Sequence, residues 1–88
     1  MRQTREDHLT RASELMGLAL ILGDREDDPK AAVDQLLDAT GPDVLALRRA
    51  HRQCERDIRD DWPADQSLIR AFFYLSAARI RAESDTRH

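Results

Sequence analysis

Leu15-Met16-Gly17-Leu18-Ala19-Leu20-Ile21-Leu22 is the stretch on which the fold turns. Wound as a helix it is apolar on every side, so it has no solvent face and needs cover from several directions. No strand reading competes with it, because β-branched residues are scarce and no segment alternates with a period of two. At 100° per residue, Leu9, Ala12, Leu15, Met16, Ala19, Leu20 and Leu22 share one broad arc, with His8 in the same arc at the first turn. Leu18 and Ile21 fall on the opposite side, among Thr10, Arg11 and Glu14. Gly23 closes the segment, which gives a first helix over Thr4–Leu22. Gly17 is read as a point of close helix approach.

Outward from this stretch, three prolines punctuate the chain, each where a helix can begin. Asp28-Pro29 reads as an N-cap followed by proline at the first helical position. Gly41-Pro42-Asp43 reads as a stop and an immediate restart, and Trp62-Pro63 as a third start. Helices are therefore predicted over Pro29–Thr40, Pro42–Asp60 and Pro63–Glu83. Short connections favour antiparallel neighbours. The fold class is all-α: a single domain over residues 1–88, a compact bundle of about four helices with one short member at 29–40.

The inner faces follow from the same wheel. The second helix turns Ala32, Val33, Leu36, Leu37 and Ala39 inward, and the third Val44, Leu47, His51, Cys54 and Ile58. The fourth offers Leu68, Ile69, Phe72, Phe73, Leu75 and Ile80, with the Arg79 head group snorkelling to water. Tyr74 projects away from that face beside Arg70 and Arg81, and Trp62 is read as packing back on the core. The first and fourth helices, the most hydrophobic, are expected at the centre, with the third outside and one side exposed.

Composition narrows the function. Of the 88 residues 35% are charged, yet the net charge is only −3, so both signs are dense and mixed. A mildly acidic chain is not an obvious nucleic-acid binder. Cys54 is the only cysteine, which excludes an internal disulfide and points to a reducing, cytoplasmic setting. Glu6, Asp7 and Glu14 break up any signal-peptide pattern, and the apolar run is far below the roughly 20 residues that span a bilayer, so no membrane role is expected. No cofactor or metal is expected. His51 and Cys54 read as core residues, and the Asp24, Glu26, Asp28 alternation lacks the glycine of a calcium loop, since Pro29 stands in its place. With no nucleophile–base pair and no glycine-rich phosphate loop, the chain is not read as an enzyme.

Two surface features remain. Arg48, Arg49, Arg52, Arg56 and Arg59 fall within an arc of roughly 100° on the third helix, with Leu45 in its middle and no acid inside it. Guanidinium forks suit carboxylates and phosphates. Such an arc is most simply a solvated face. It can also pair with the acidic loop Asp24–Asp28, meet an acidic protein, or meet nucleic acid. The second feature is the surplus apolar side of the first helix, Leu18 and Ile21, which asks for a second subunit or a partner. The expected function is a small non-enzymatic interaction or regulatory domain. It self-associates as a homodimer through the first helix and presents the arginine side to a protein partner. The alternative is a nucleic-acid-binding transcriptional regulator, with the second and third helices as a helix-turn-helix.

Overall fold

A computed structural model describes residues 5–85, with side chains described over 7–84. It contains α1 (Arg5–Arg25), α2 (Pro29–Thr40), α3 (Val44–Asp60) and α4 (Gln66–Asp85), and no strand among the described residues. The all-α bundle is thus as expected, and the bounds of α2 coincide with those predicted. The predicted start of the first helix at Thr4 lies outside the described residues.

Three boundaries are corrected by capping chemistry. Gly23 does not stop α1, which runs on to Arg25, with the Glu26 amide donating to Leu22 O at 2.8 Å. Pro42 lies before α3, because Asp43 takes the N-cap and its carboxylate accepts from Ala46 N at 3.1 Å. Pro63 likewise precedes α4: the Asp65 carbonyl accepts from Ile69 N at 3.1 Å, leaving Trp62–Asp65 as connection. Two other ends behave as read. Asp28 caps α2 by accepting from Lys30 N at 3.1 Å, and Gly41, at φ 55°, ends it by donating to Leu37 O.

The chain runs up, down, up, down. Gly23, near the end of α1, lies against Ser67 and Ala71 at the start of α4, so these two are antiparallel. Cys54 Sγ meets Leu68 O at one end of the α3–α4 contact, and Arg48 meets Glu83 at the other. The start of α1 meets the start of α3 through His8 and Asp43. α1 and α4 are central, each packing on the other three, whereas α2 and α3 barely touch.

The core sits where these helices converge: Leu15, Leu36, Leu47, Leu75 and Cys54, set among Ala12, Ala19, Ala32, Ala46, Ala50, Ala71 and Ala78. The alanines let the backbones approach closely, and so does Gly23. A Cβ at Gly23 would collide with Ser67 O and lie 3.0 Å from Ala71 N. The close approach assigned to Gly17 is corrected, since a Cβ there would meet nothing within 4 Å.

Several inward assignments also change. Phe73 and Ile80 are 62% and 69% exposed, because α4 turns Ala71, Leu75, Ala78 and Ala82 toward the core instead. Tyr74 is buried rather than outward: the phenol donates to Glu26 O, in the connection between α1 and α2, at 2.6 Å. Leu9 and Leu20 are exposed at the rim, and Trp62 stands in solvent instead of folding back. Ala39 is exposed, while Thr40 is buried with its hydroxyl donating to Leu36 O at 2.7 Å. Arg79 does not simply reach water; it pairs with Glu83 at 3.2 Å.

Candidate functional site

The rotation of α3 is fixed by Ala46, Leu47, Ala50 and Cys54, all buried on its inner side. That rotation turns Leu45, Arg49, Arg52, Arg56 and Arg59 to solvent and leaves Arg48 partly exposed at the α4 edge. Between the splayed side chains lies an open depression of about 620 Å³, lined by His8, Leu45, Arg48, Arg49, Arg52, Gln53 and Arg56. Arg59 lies beyond it, paired with Glu55 at 3.0 Å. Arg48 is held at the other edge by Glu83 at 2.6 Å. Arg49, Arg52 and Arg56 have no ion pair with any acid among the described residues.

The acidic loop does not neutralise them. It turns to α4, where Arg70 reaches Asp27 Oδ1 and Tyr74 Oη, each at 3.0 Å, and also the Glu26 carbonyl. These contacts raise the Arg70 pKa above its ordinary value, the hydrogen bond to Tyr74 being the largest cause. The pairing of this loop with the α3 arginines, considered from sequence, is therefore not made within the chain.

At the foot of the depression His8 Nδ1 lies 2.8 and 2.9 Å from the two carboxylate oxygens of Asp43. Asp43 is only 3% exposed, and Arg11 Nε stands 3.7 Å away. One buried carboxylate thus caps α3, anchors α1 and fixes which edge of His8 faces out. Sequence reading missed this pairing, although an Asp directly after Gly-Pro and before a helix carries the N-cap signal.

Behind the arginine side runs a second polar network. The Ser76 hydroxyl donates to Phe72 O at 2.8 Å, so its oxygen accepts from His51 Nε2–H at 2.8 Å. His51 Nδ1 then accepts from Arg79 Nη1 at 3.1 Å, and the ring stacks on Phe72. Burial, then the Arg79 charge, push the His51 pKa below its ordinary value and keep the ring neutral. Hydrogen bonds from Arg48 and Arg79 hold the Glu83 carboxyl below its usual range. Burial pushes the Cys54 thiol up to about 11, which leaves it protonated and unreactive. No group of three or more His, Cys, Asp or Glu able to hold a metal occurs among the described residues.

The sequence-predicted contact residues thus divide. Arg48, Arg49, Arg52 and Arg56 converge on one depression, and Arg59 stands apart. Leu18 packs against the core, whereas Ile21 is exposed on the far side of α1. No described helix is long and apolar enough to cross a membrane. Comparison with known proteins finds no matching family model, no similar curated protein and no similar solved structure.

Proposed function

We propose that this chain is a non-enzymatic interaction domain with a regulatory role, acting in the cytoplasm, that recognises an acidic protein partner through the arginine side of α3. The observation that carries this reading is the set of guanidiniums at Arg49, Arg52 and Arg56. They are gathered on one open depression and lack an acid among the described residues, in a chain of net charge −3. A solvated face in so acidic a chain would be expected to share its charge with neighbouring carboxylates, as Arg48, Arg59, Arg70 and Arg81 do. The lone, buried thiol fits a reducing compartment.

Protein rather than nucleic acid is favoured by the packing of α3. A helix-turn-helix needs its two helices packed together, yet α2 and α3 barely touch. The same helix also carries Glu55, Asp57 and Asp60, with Asp61 directly after it, which repel any anion and so limit either partner to the stretch Arg49–Arg56. Homodimerisation through α1 remains as a second element, resting on Ile21 alone, since Leu18 is engaged by the core.

The test is fluorescence anisotropy with a labelled glutamate-rich peptide and, separately, a labelled DNA duplex, each titrated with wild type and Arg52→Glu/Arg56→Glu. The peptide is expected to bind wild type and to lose binding on charge reversal. Binding of the duplex with a steep salt dependence, and none of the peptide, would overturn the reading. For self-association, light scattering should give a dimer that Ile21→Glu dissociates. A monomer at every concentration removes that element.

A further inference from the structure

The arginine depression is not isolated. A second groove of about 300 Å³ runs beside it between α1 and α3, and Arg49 and Gln53 line both. Leu9 and Met16 wall this groove, and Ala12 and Ala50 line it with them. On α1 the positions Leu9, Ser13, Met16 and Leu20 follow the i, i+4, i+7, i+11 rule and so form one line along the helix. On α3 Arg49, Arg52 and Arg56 follow i, i+3, i+7 and form another. The two helices start at the same end of the bundle, through His8 and Asp43, so an apolar line and a basic line run side by side.

We infer that the occupant of this double track is an acidic amphipathic helix of the partner protein, laid along the α1–α3 groove. This rests on the reading that the arginine side binds an acidic protein, and adds the shape of what it binds. Helix-in-groove recognition needs an apolar channel between two helices and a matching charged edge. Both are present, in the same helical repeat as the proposed occupant. Leu9 to Met16 spans about 10 Å at 1.5 Å per residue, so the partner contributes about two turns. Its apolar residues recur at i, i+3/i+4 and i+7 over Leu9 and Met16, and its carboxylates follow the same spacing on the adjacent stripe. Asp60 and Asp61 end the basic line and confine the partner's acids to the two turns beside Arg49–Arg56. A nucleic acid would satisfy the guanidiniums but supply no apolar knob for the groove.

The experiment uses the full chain and three labelled peptides of about 18 residues, or five turns. The first carries leucine and glutamate stripes on adjacent faces. The second has its leucines replaced by glutamine, and the third its glutamates. Only the first is expected to bind tightly, the other two being weaker by about tenfold or more, a loss of about 1.4 kcal/mol. Leu9→Gln should weaken the first peptide about tenfold without altering the far-ultraviolet circular dichroism, since that side chain lines the groove and is exposed. Arg52→Glu/Arg56→Glu should reject the first peptide and accept a lysine version of it. If the second peptide binds as tightly as the first, the groove takes no apolar partner and this inference falls while the acidic-partner reading stands. If no glutamate peptide binds even at low salt, both fall.

Discussion

The placement of α4 makes an unequal pair of substitutions decisive. Leu75 and Phe73 are both large and apolar, and both were expected inside. Leu75 is 0% exposed and belongs to the core cluster, whereas Phe73 is 62% exposed. Truncating Leu75 to alanine removes buried methylenes and leaves a cavity, which costs about 2–5 kcal/mol. Full burial of a phenylalanine is worth up to about 3 kcal/mol, so the roughly two-fifths of Phe73 that is covered contributes about 1 kcal/mol. The chain as a whole has a stability of about 4–13 kcal/mol by size. Leu75→Ala should therefore remove a large share of it, and Phe73→Ala a small one. Urea unfolding followed by circular dichroism reads both values from the shift in midpoint at constant slope. In thermal unfolding each 1 kcal/mol appears as about 4–8 °C for a chain of this length. Equal losses in the two variants would refute the rotation of α4, and with it the burial of Tyr74.

Four further outcomes follow from the packing and the ionisable groups. Gly23→Ala should destabilise by about 1–3 kcal/mol in urea unfolding, because its methyl meets the backbone of Ser67 and Ala71. Gly17→Ala, in open space inside α1, should stabilise by up to about 1 kcal/mol. In the unfolded chain His51 takes up its proton near the ordinary value of 6.5, whereas the folded ring takes it up only at lower pH. The unfolded state then binds more protons between these two values, so the stability linked to His51 is complete above pH 6.5 and falls as pH drops through that window. Comparing urea midpoints from pH 7.5 downward in wild type and His51→Gln isolates this slope, and identical slopes would refute it. Cys54, buried and with a thiol near 11, should react with a thiol reagent only after denaturant is added.

The bundle was legible where a signal is local. Asp28-Pro29 and Gly41 act through their own backbone angles and caps, so α2 could be bounded from sequence alone. The rotation of α4 was not local. Its wheel carries apolar residues over two sectors, one with Leu68, Phe72 and Leu75 and one with Ile69, Phe73 and Ile80. Hydrophobicity favoured the sum of both. The packing instead selects the line Ala71, Leu75, Ala78 and Ala82, because small side chains admit the close approach of α1 that Gly23 also requires. Tyr74 was misjudged for the same reason: the Glu26 carbonyl, in the connection between α1 and α2, meets its phenol, and nothing in α4 itself announces that neighbour.

The arginine side was legible because it depends only on the periodicity of α3 and one buried stripe. What sequence could not supply was which guanidiniums are already engaged. That is decided by partners far away in the chain: Glu83 for Arg48, Asp27 for Arg70 and Asp34 for Arg81. Each of these pairs joins different elements, so the acids of an acidic chain are drawn to the joints of the bundle. Such exposed or half-exposed pairs add little stability each. Their larger effect is on the electrostatic surface, because they leave Arg49, Arg52 and Arg56 facing solvent with no ion pair among the described residues. An acidic helix docking as proposed would therefore meet three guanidiniums gathered at one place, only loosely screened by the chain's own described carboxylates. That same place adjoins the apolar groove of α1. On the proposed mode, charge would govern where the partner lands, and the Leu9–Met16 groove would govern whether it stays.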